Sequence, residues 1–305
     1  MGQVNEGHRS VSIDSIRFRD RAMRVMRRFS RSKYAMSGLV TVIGLIVIAI
    51  FAPVIAPHDP LAQDHEMLRH PPSLAHPFGT DAFGRDVFSR VIYGSRYAVF
   101  LTVVIIGIQA IIGVGLGLIA GYYGGYVDSL IMRLVDLSLS IPGIVLALAI
   151  AGMLGGGLFP IIIAISVIGW RGFARLVRGD VLSVMEENYI EAAKGSGVKD
   201  RRIILRHILP NVTGSITVYA TLTMPTVLLW SAALSFLGAG VQPPDPEWGA
   251  LVASGRGDLS TAWWISTFPG LAIMIVVIGF NAVGDGLRDA LDPKQTYGMT
   301  GEKDE

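Results

Sequence analysis

Long apolar runs alternate with short polar, proline-bearing stretches along this chain, and the spacing of the breaks predicts its elements. The first run, residues 34–57, is 24 residues long. That suits a helix across a hydrocarbon core of about 30 Å and exceeds the apolar region of a signal peptide. Residues 97–127 carry no ionisable group except tyrosines and predict a second span. Between Asp136 and Arg171 lies an uncharged run of 34 residues, too long for one crossing and short for two of about 20. A hairpin turning at Gly155, Gly156 and Gly157 resolves this, with residues 129–153 as the third span and 158–177 as the fourth. Arg133 and Asp136 would then pair at one end of the third span, while Arg171 and Arg175 emerge at the matching end of the fourth. Residues 212–237 and 262–284 complete an all-α membrane protein of six transmembrane helices.

Composition agrees: 51% of the 305 residues are apolar and 16% charged, too little polar surface to cover a soluble globule. The absence of cysteine excludes disulfides, thiolate metal sites and thiol catalysis. Of the 26 Lys and Arg residues, 21 fall on one side if the spans alternate: nine in a basic N-terminal segment (1–33), Arg133 at the next inner end, eight between residues 171 and 206, in and beside a loop (178–211), and three in a C-terminal tail (286–305). The positive-inside rule then places both termini in the cytoplasm. Residues 9–28 also fit an amphipathic helix on anionic lipid, with Val11, Ile16, Met23 and Met26 as apolar contacts.

The segment 57–96 is an extramembrane loop on the opposite side, broken by Pro57, Pro60, Pro71, Pro72 and Pro77. It holds His58, His65, His70 and His76. The pair in HEMLRH is five residues apart, whereas a helical zinc site needs i and i+4, so these read as solvated loop histidines. Residues 79–86, GTDAFGRD, mimic a phosphate loop but lack the Lys-Ser/Thr ending and a preceding strand. The chain has no nucleotide site of its own, and nothing in it points to nucleic acid.

Gly113, Gly117, Gly121 and Gly125 recur every four residues, a groove that lets another helix approach closely. Pro142, Pro225 and Pro269 fall within spans and permit kinks. Trp248, Trp263 and Trp264 suit the membrane interface. No charged residue falls near the centre of a predicted span, where one costs about 2.5–3.5 kcal/mol on insertion scales. A carrier driven by protons or ions usually accepts that cost, so the energy for any transport comes from elsewhere.

The polar loop is the remaining candidate. Residues 180–194 predict one helix, with Ala192 and Ala193 small enough for close approach and Gly195 and Gly197 allowing reversal. Asp200 is expected to cap a second helix whose apolar stripe, Ile204, Leu205, Ile208 and Leu209, lies opposite Arg201, Arg202 and Arg206 and which stops at Pro210. The stripe faces either the membrane end of this chain or a partner.

Glu191-Ala192-Ala193, then Gly197, then Leu209-Pro210 resemble the signature of permease subunits of ABC importers. PFGTDAFGRDVFSRVIYGSR (77–96), SFLGAGVQPPDPEWGALV (235–252) and FNAVGDGLRDALDPK (280–294) are similar to the C-type permease of dipeptide, oligopeptide and nickel importers. One departure is His207, three residues before the proline, where the signature often has an aliphatic residue. The resemblance implies a type I ABC importer permease fold, with residues 34–56 as an added first helix and 97–285 as a five-helix core. It also implies a second homologous permease, two ATPase subunits or domains that bind ATP and Mg, and an extracytoplasmic solute-binding protein. Glu191, Ala192, Ala193, Gly195, Gly197 and Pro210 would couple this chain to the ATPases. Di- or oligopeptides are the implied cargo, with nickel, glutathione and oligosaccharide as alternatives. A stand-alone carrier rests only on span count, and a membrane metalloenzyme only on the loop histidines.

Overall fold

The computed structural model describes residue 23 and residues 25–291. Residues 9–22 and 24 of the expected amphipathic helix, and the tail beyond residue 291, lie outside them. Helix α1 (Lys33–Ile55) starts where Ser32 Oγ accepts from the Ala35 amide at 3.2 Å. Helix α2 (Val87–Tyr123) runs 37 residues, about 56 Å at 1.5 Å per residue. It begins ten residues before the predicted span, because the Asp86 carboxylate accepts from the Ser89 amide at 2.7 Å and caps it there.

The predicted third span is two helices, α3 (Gly125–Leu139) and α4 (Gly143–Met153), bent by 87° to one another. Pro142 lacks an amide and keeps Ile141 out of the helical region, so one straight helix cannot pass through. Helix α5 (Leu158–Met185) follows the glycine turn. The single helix expected over 180–194 is broken at Glu186 and Glu187, after which α6 (Asn188–Gly195) begins. The remaining helices are α7 (Asp200–Ile203), α8 (Leu209–Phe236), the short α9 (Trp248–Ser254) and α10 (Trp264–Leu291). Among the described residues, five helices are long and apolar enough to cross a membrane, or six if the bent pair counts as one span.

The glycine series seats α2 on α5. A Cβ at Gly113 would fall 2.3 Å from the Trp170 carbonyl oxygen, one at Gly117 2.7 Å from that of Ala174, and one at Gly121 2.6 Å from Val181 Cβ. Gly125 stands in open space with φ +53° as the first residue of α3, so the packing groove has three members. A buried cluster of Leu101, Ile105, Ile161, Ile165, Phe173 and Leu234 joins α2, α5 and α8. A second cluster, with Leu45, Val91, Trp248, Trp264 and Phe280, closes the end that carries the proline-rich loop.

That loop is structured by buried polar contacts. Asp81 Oδ2 lies 2.7 Å from Arg85 Nε, and Arg90 donates to the carbonyls of Pro60 and Pro244 at 2.9 and 3.2 Å. Gly84 has φ +73°, and a Cβ there would strike the Asp64 carbonyl. GTDAFGRD is therefore a tight structural turn. Two of the three tryptophans expected at the interface are buried, because their indole N–H groups find carbonyls: Trp248 donates to Val91 at 2.9 Å and Trp264 to Thr80 at 3.0 Å. Trp263 alone of the three is exposed. His76 is likewise not a solvated residue. Its Nδ1 lies 2.9 Å from the buried Asp86 carboxylate, with His58 stacked on its ring.

Glu247 is buried at the start of α9, where its carboxylate accepts from the Ala250 amide at 2.9 Å. Burial pushes its pKa above the usual carboxylate range, against hydrogen bonds from the Ala250 and Gly249 amides and Ser235. The folded state therefore holds this proton to higher pH than the unfolded chain does. The contribution of Glu247 to stability is fully present below the ordinary Glu pKa of about 4.3 and is lost as pH rises through the elevated folded value. Glu247→Gln is expected to flatten that part of the profile, as thermal unfolding of purified protein at a series of pH values would measure.

Candidate functional site

The polar loop between α5 and α8 is held by its apolar side to the ends of the long helices. Ile190 of α6, Ile203 of α7 and Ile208 are fully buried among Leu118 of α2, Val177 and Val181 of α5 and Val212 of α8. The stripe thus faces the membrane end of this chain. Of the expected stripe, Ile208 is buried and Ile204 and Leu209 pack against the cluster, while Leu205 is 47% exposed; Ile190 and Ile203 join the contact. The π-helical step and the reversal at Gly197 put those two outside the period of the stripe.

Helix α6 ends in a Schellman motif. The Gly197 amide donates to the Lys194 carbonyl at 3.0 Å and the Val198 amide to that of Ala193 at 3.2 Å. Gly197 has φ +73°, the left-handed conformation that this motif requires and that a side chain disfavours by roughly 1–2 kcal/mol. Gly195 is helical, with no neighbour near its missing side chain, so the reversal depends on Gly197. Ala193 turns inward with Val198 against the apolar cluster. Glu191, Ala192, Gly195 and Gly197 are exposed.

Asp200 does not cap the second helix. It is the first residue of α7, and its carboxylate accepts from the Tyr122 hydroxyl of α2 at 2.7 Å. Lys194 lies over the same ring, 5.3 Å from its centre. Nor does the helix stop at Pro210. The segment Ile204–Ile208 is π-helical, and the Leu209 amide reaches back five residues to Ile204. Pro210 therefore sits in the first turn of α8, where a missing amide is tolerated. Asn211 Nδ2 closes this corner, donating to the His207 carbonyl at 2.6 Å and the Tyr189 hydroxyl at 3.1 Å. Tyr189 titrates above the usual phenol range, through burial first and the nearby Glu187 second.

Three arginines on one face of α5 hold α3. Arg178 forks onto Asp128, with Nε–Oδ1 at 2.5 Å and NH2–Oδ2 at 2.6 Å. Arg175 pairs with Asp136 at 2.6 Å, so the pairing expected between Arg133 and Asp136 is replaced by one between helices. Arg171 donates to the Ser138 carbonyl at the bend. It lies at the midpoint of the 28-residue α5, roughly 20 Å along the helix from its first residue. Helix α5 runs eight residues past residue 177, where the fourth span was expected to end.

These helices and their order are those of the type I ABC importer permeases. A chain of the MetNI methionine ABC transporter in an inward-facing conformation superposes with a TM-score of 0.53 and 20% identity, over 67% of this chain and 98% of that one. The family described as binding-protein-dependent transport system inner membrane component matches residues 113–297, and that described as the N-terminal TM domain of oligopeptide transport permease C matches residues 22–72. The chain belongs to the family of binding-protein-dependent transport system inner membrane components. It is 48% identical over 269 residues to the glutathione transport system permease protein GsiD of Escherichia coli O157:H7, covering 88% of this chain and 89% of that protein. It is 46% identical over 268 residues to the dipeptide transport system permease protein DppC of Alkalihalophilus pseudofirmus, covering 88% of each.

Proposed function

We propose that this chain is the membrane-spanning permease subunit of an ATP-driven importer of short peptides, built with a second permease, two ATPase subunits or domains and a solute-binding protein. The similarity to peptide and glutathione permeases over 88% of the chain carries this reading. In it both termini and the loop from 178 to 211 lie in the cytoplasm, where 18 of 26 Lys and Arg residues then fall. Glu191, Ala192, Gly195 and Gly197 form the surface offered to the ATPases, with Ala193 and Pro210 behind it supporting the turn and the start of α8. Energy enters there as ATPase closure moves the loop, and the attached helices switch access to the path. The chain itself binds no nucleotide in this scheme; ATP and Mg belong to the ATPases.

The assembled complex in proteoliposomes is expected to accumulate dipeptides, tripeptides or glutathione only with ATP and the binding protein present. Flux through the chain reconstituted alone would instead make it a self-contained carrier.

A further inference from the structure

Arg171 faces a cavity of about 240 Å³ within the membrane domain, lined also by Gln109, Arg175, Tyr219, Thr223 and Trp230. Its contents are unusual for a space between spans. Among the described residues no carboxylate pairs with Arg171, whose contact is a donation to the Ser138 carbonyl. The guanidinium and the Trp230 ring both crowd the bend: a Cβ at Gly143 would lie 3.1 Å from Arg171 and 2.4 Å from Trp230. Gln109, 1% exposed, spends its Nε2 on the Ile165 carbonyl at 3.0 Å and leaves Oε1 buried without a partner. An arginine without a carboxylate partner thus borders one small space, beside a buried acceptor left open, which is itself uncommon.

We propose that this cavity receives the carboxylate end of the cargo in passage, Arg171 pairing with the carboxylate. This rests on the peptide-import reading. At about 30 Å³ per water, the cavity admits an end group and not a whole peptide, so the remainder of the cargo lies in the path beyond it. A carboxylate there also competes with the Ser138 carbonyl for the guanidinium, which ties occupancy to the bend between α3 and α4.

The chain has no cysteine, so Thr223→Cys introduces a single thiol reporter into it, whose labelling in the assembled complex is read on this chain alone. In proteoliposomes its modification by an anionic and a cationic methanethiosulfonate of similar size is compared. Arg171→Gln is expected to lower the anionic-to-cationic rate ratio by at least about tenfold, and Arg171→Lys to restore it. A dipeptide with a free C-terminal carboxylate should slow labelling, whereas its C-terminal amide should not. An unchanged ratio in Arg171→Gln, or equal protection by both peptides, overturns the inference. Peptide uptake by the otherwise unmodified complex is scored in parallel: no uptake overturns the peptide reading, while uptake together with an unchanged ratio overturns the role of Arg171 alone.

Discussion

Replacing Gly197 with valine is expected to lower substrate uptake by at least tenfold while the protein still reaches the membrane and the complex still hydrolyses ATP. The φ of +73° at Gly197 is open to glycine and strongly disfavoured for a β-branched residue. The Schellman turn must therefore reopen, and α6 loses its angle to α7. No atom lies within 4 Å of the missing Cβ, so the damage is conformational and local, and the buried Ile190–Ile203–Ile208 anchorage keeps the loop on the domain. Gly195→Ala, at a helical position with equal space, should leave the turn and the protein's stability intact, so any loss of uptake there reports the surface and not the turn. Glu191→Lys tests the surface and not the turn: Glu191 is exposed in the first turn of α6, so stability should change little while coupling fails. Comparing uptake with ATP hydrolysis in proteoliposomes checks all three, and normal uptake by both Gly197→Val and Glu191→Lys would remove this loop from the energy path.

Gly117→Leu should be worse for the protein itself. A Cβ at Gly117 would lie 2.7 Å from the Ala174 carbonyl oxygen and 2.8 Å from Val177 Cβ, so α2 and α5 must move apart along their shared length. Overpacking a core ordinarily costs about 1–3 kcal/mol. Here the obstacle includes backbone, which cannot rotate away, so a loss at or beyond the upper end is expected. The measurement is the yield and thermal stability of detergent-purified protein. Gly115→Ala, on the opposite side of α2 with nothing within 4 Å, should leave both unchanged.

Much of this architecture could be read from residue order because membranes impose strong rules. The apolar runs gave most of the spans, the four-residue glycine spacing marked a helix contact, and the polar loop stood out against its surroundings. What was misread involved interactions that residue spacing does not encode. Pro210 looks like a helix stop, but a five-residue hydrogen-bond step at Leu209 absorbs it. Asp200 looks like a cap, but Tyr122, 78 positions earlier, claims its carboxylate. Trp248 and Trp264 look interfacial until their N–H groups meet carbonyls 157 and 184 residues away. The length of α5 is likewise not given by the uncharged run before Arg171, because Arg171, Arg175 and Arg178 find partners on the neighbouring helix or its bend and the helix continues past them.

Arg171, Arg175 and Arg178 form a ladder, its rungs set at intervals of four and three residues and therefore on one face of α5. They meet Ser138, Asp136 and Asp128 of the bent element. Helix α3 buries only Ile131 and Val135, so much of its attachment to α5 is through charge, whereas α2 sits on the same helix by close packing of bare backbone. Ionic strength therefore acts on the two contacts differently. Near physiological salt, exposed charges are screened over about 8 Å; the half-exposed Arg175–Asp136 rung weakens first and the forked Arg178–Asp128 rung later, while the glycine seam is indifferent to salt.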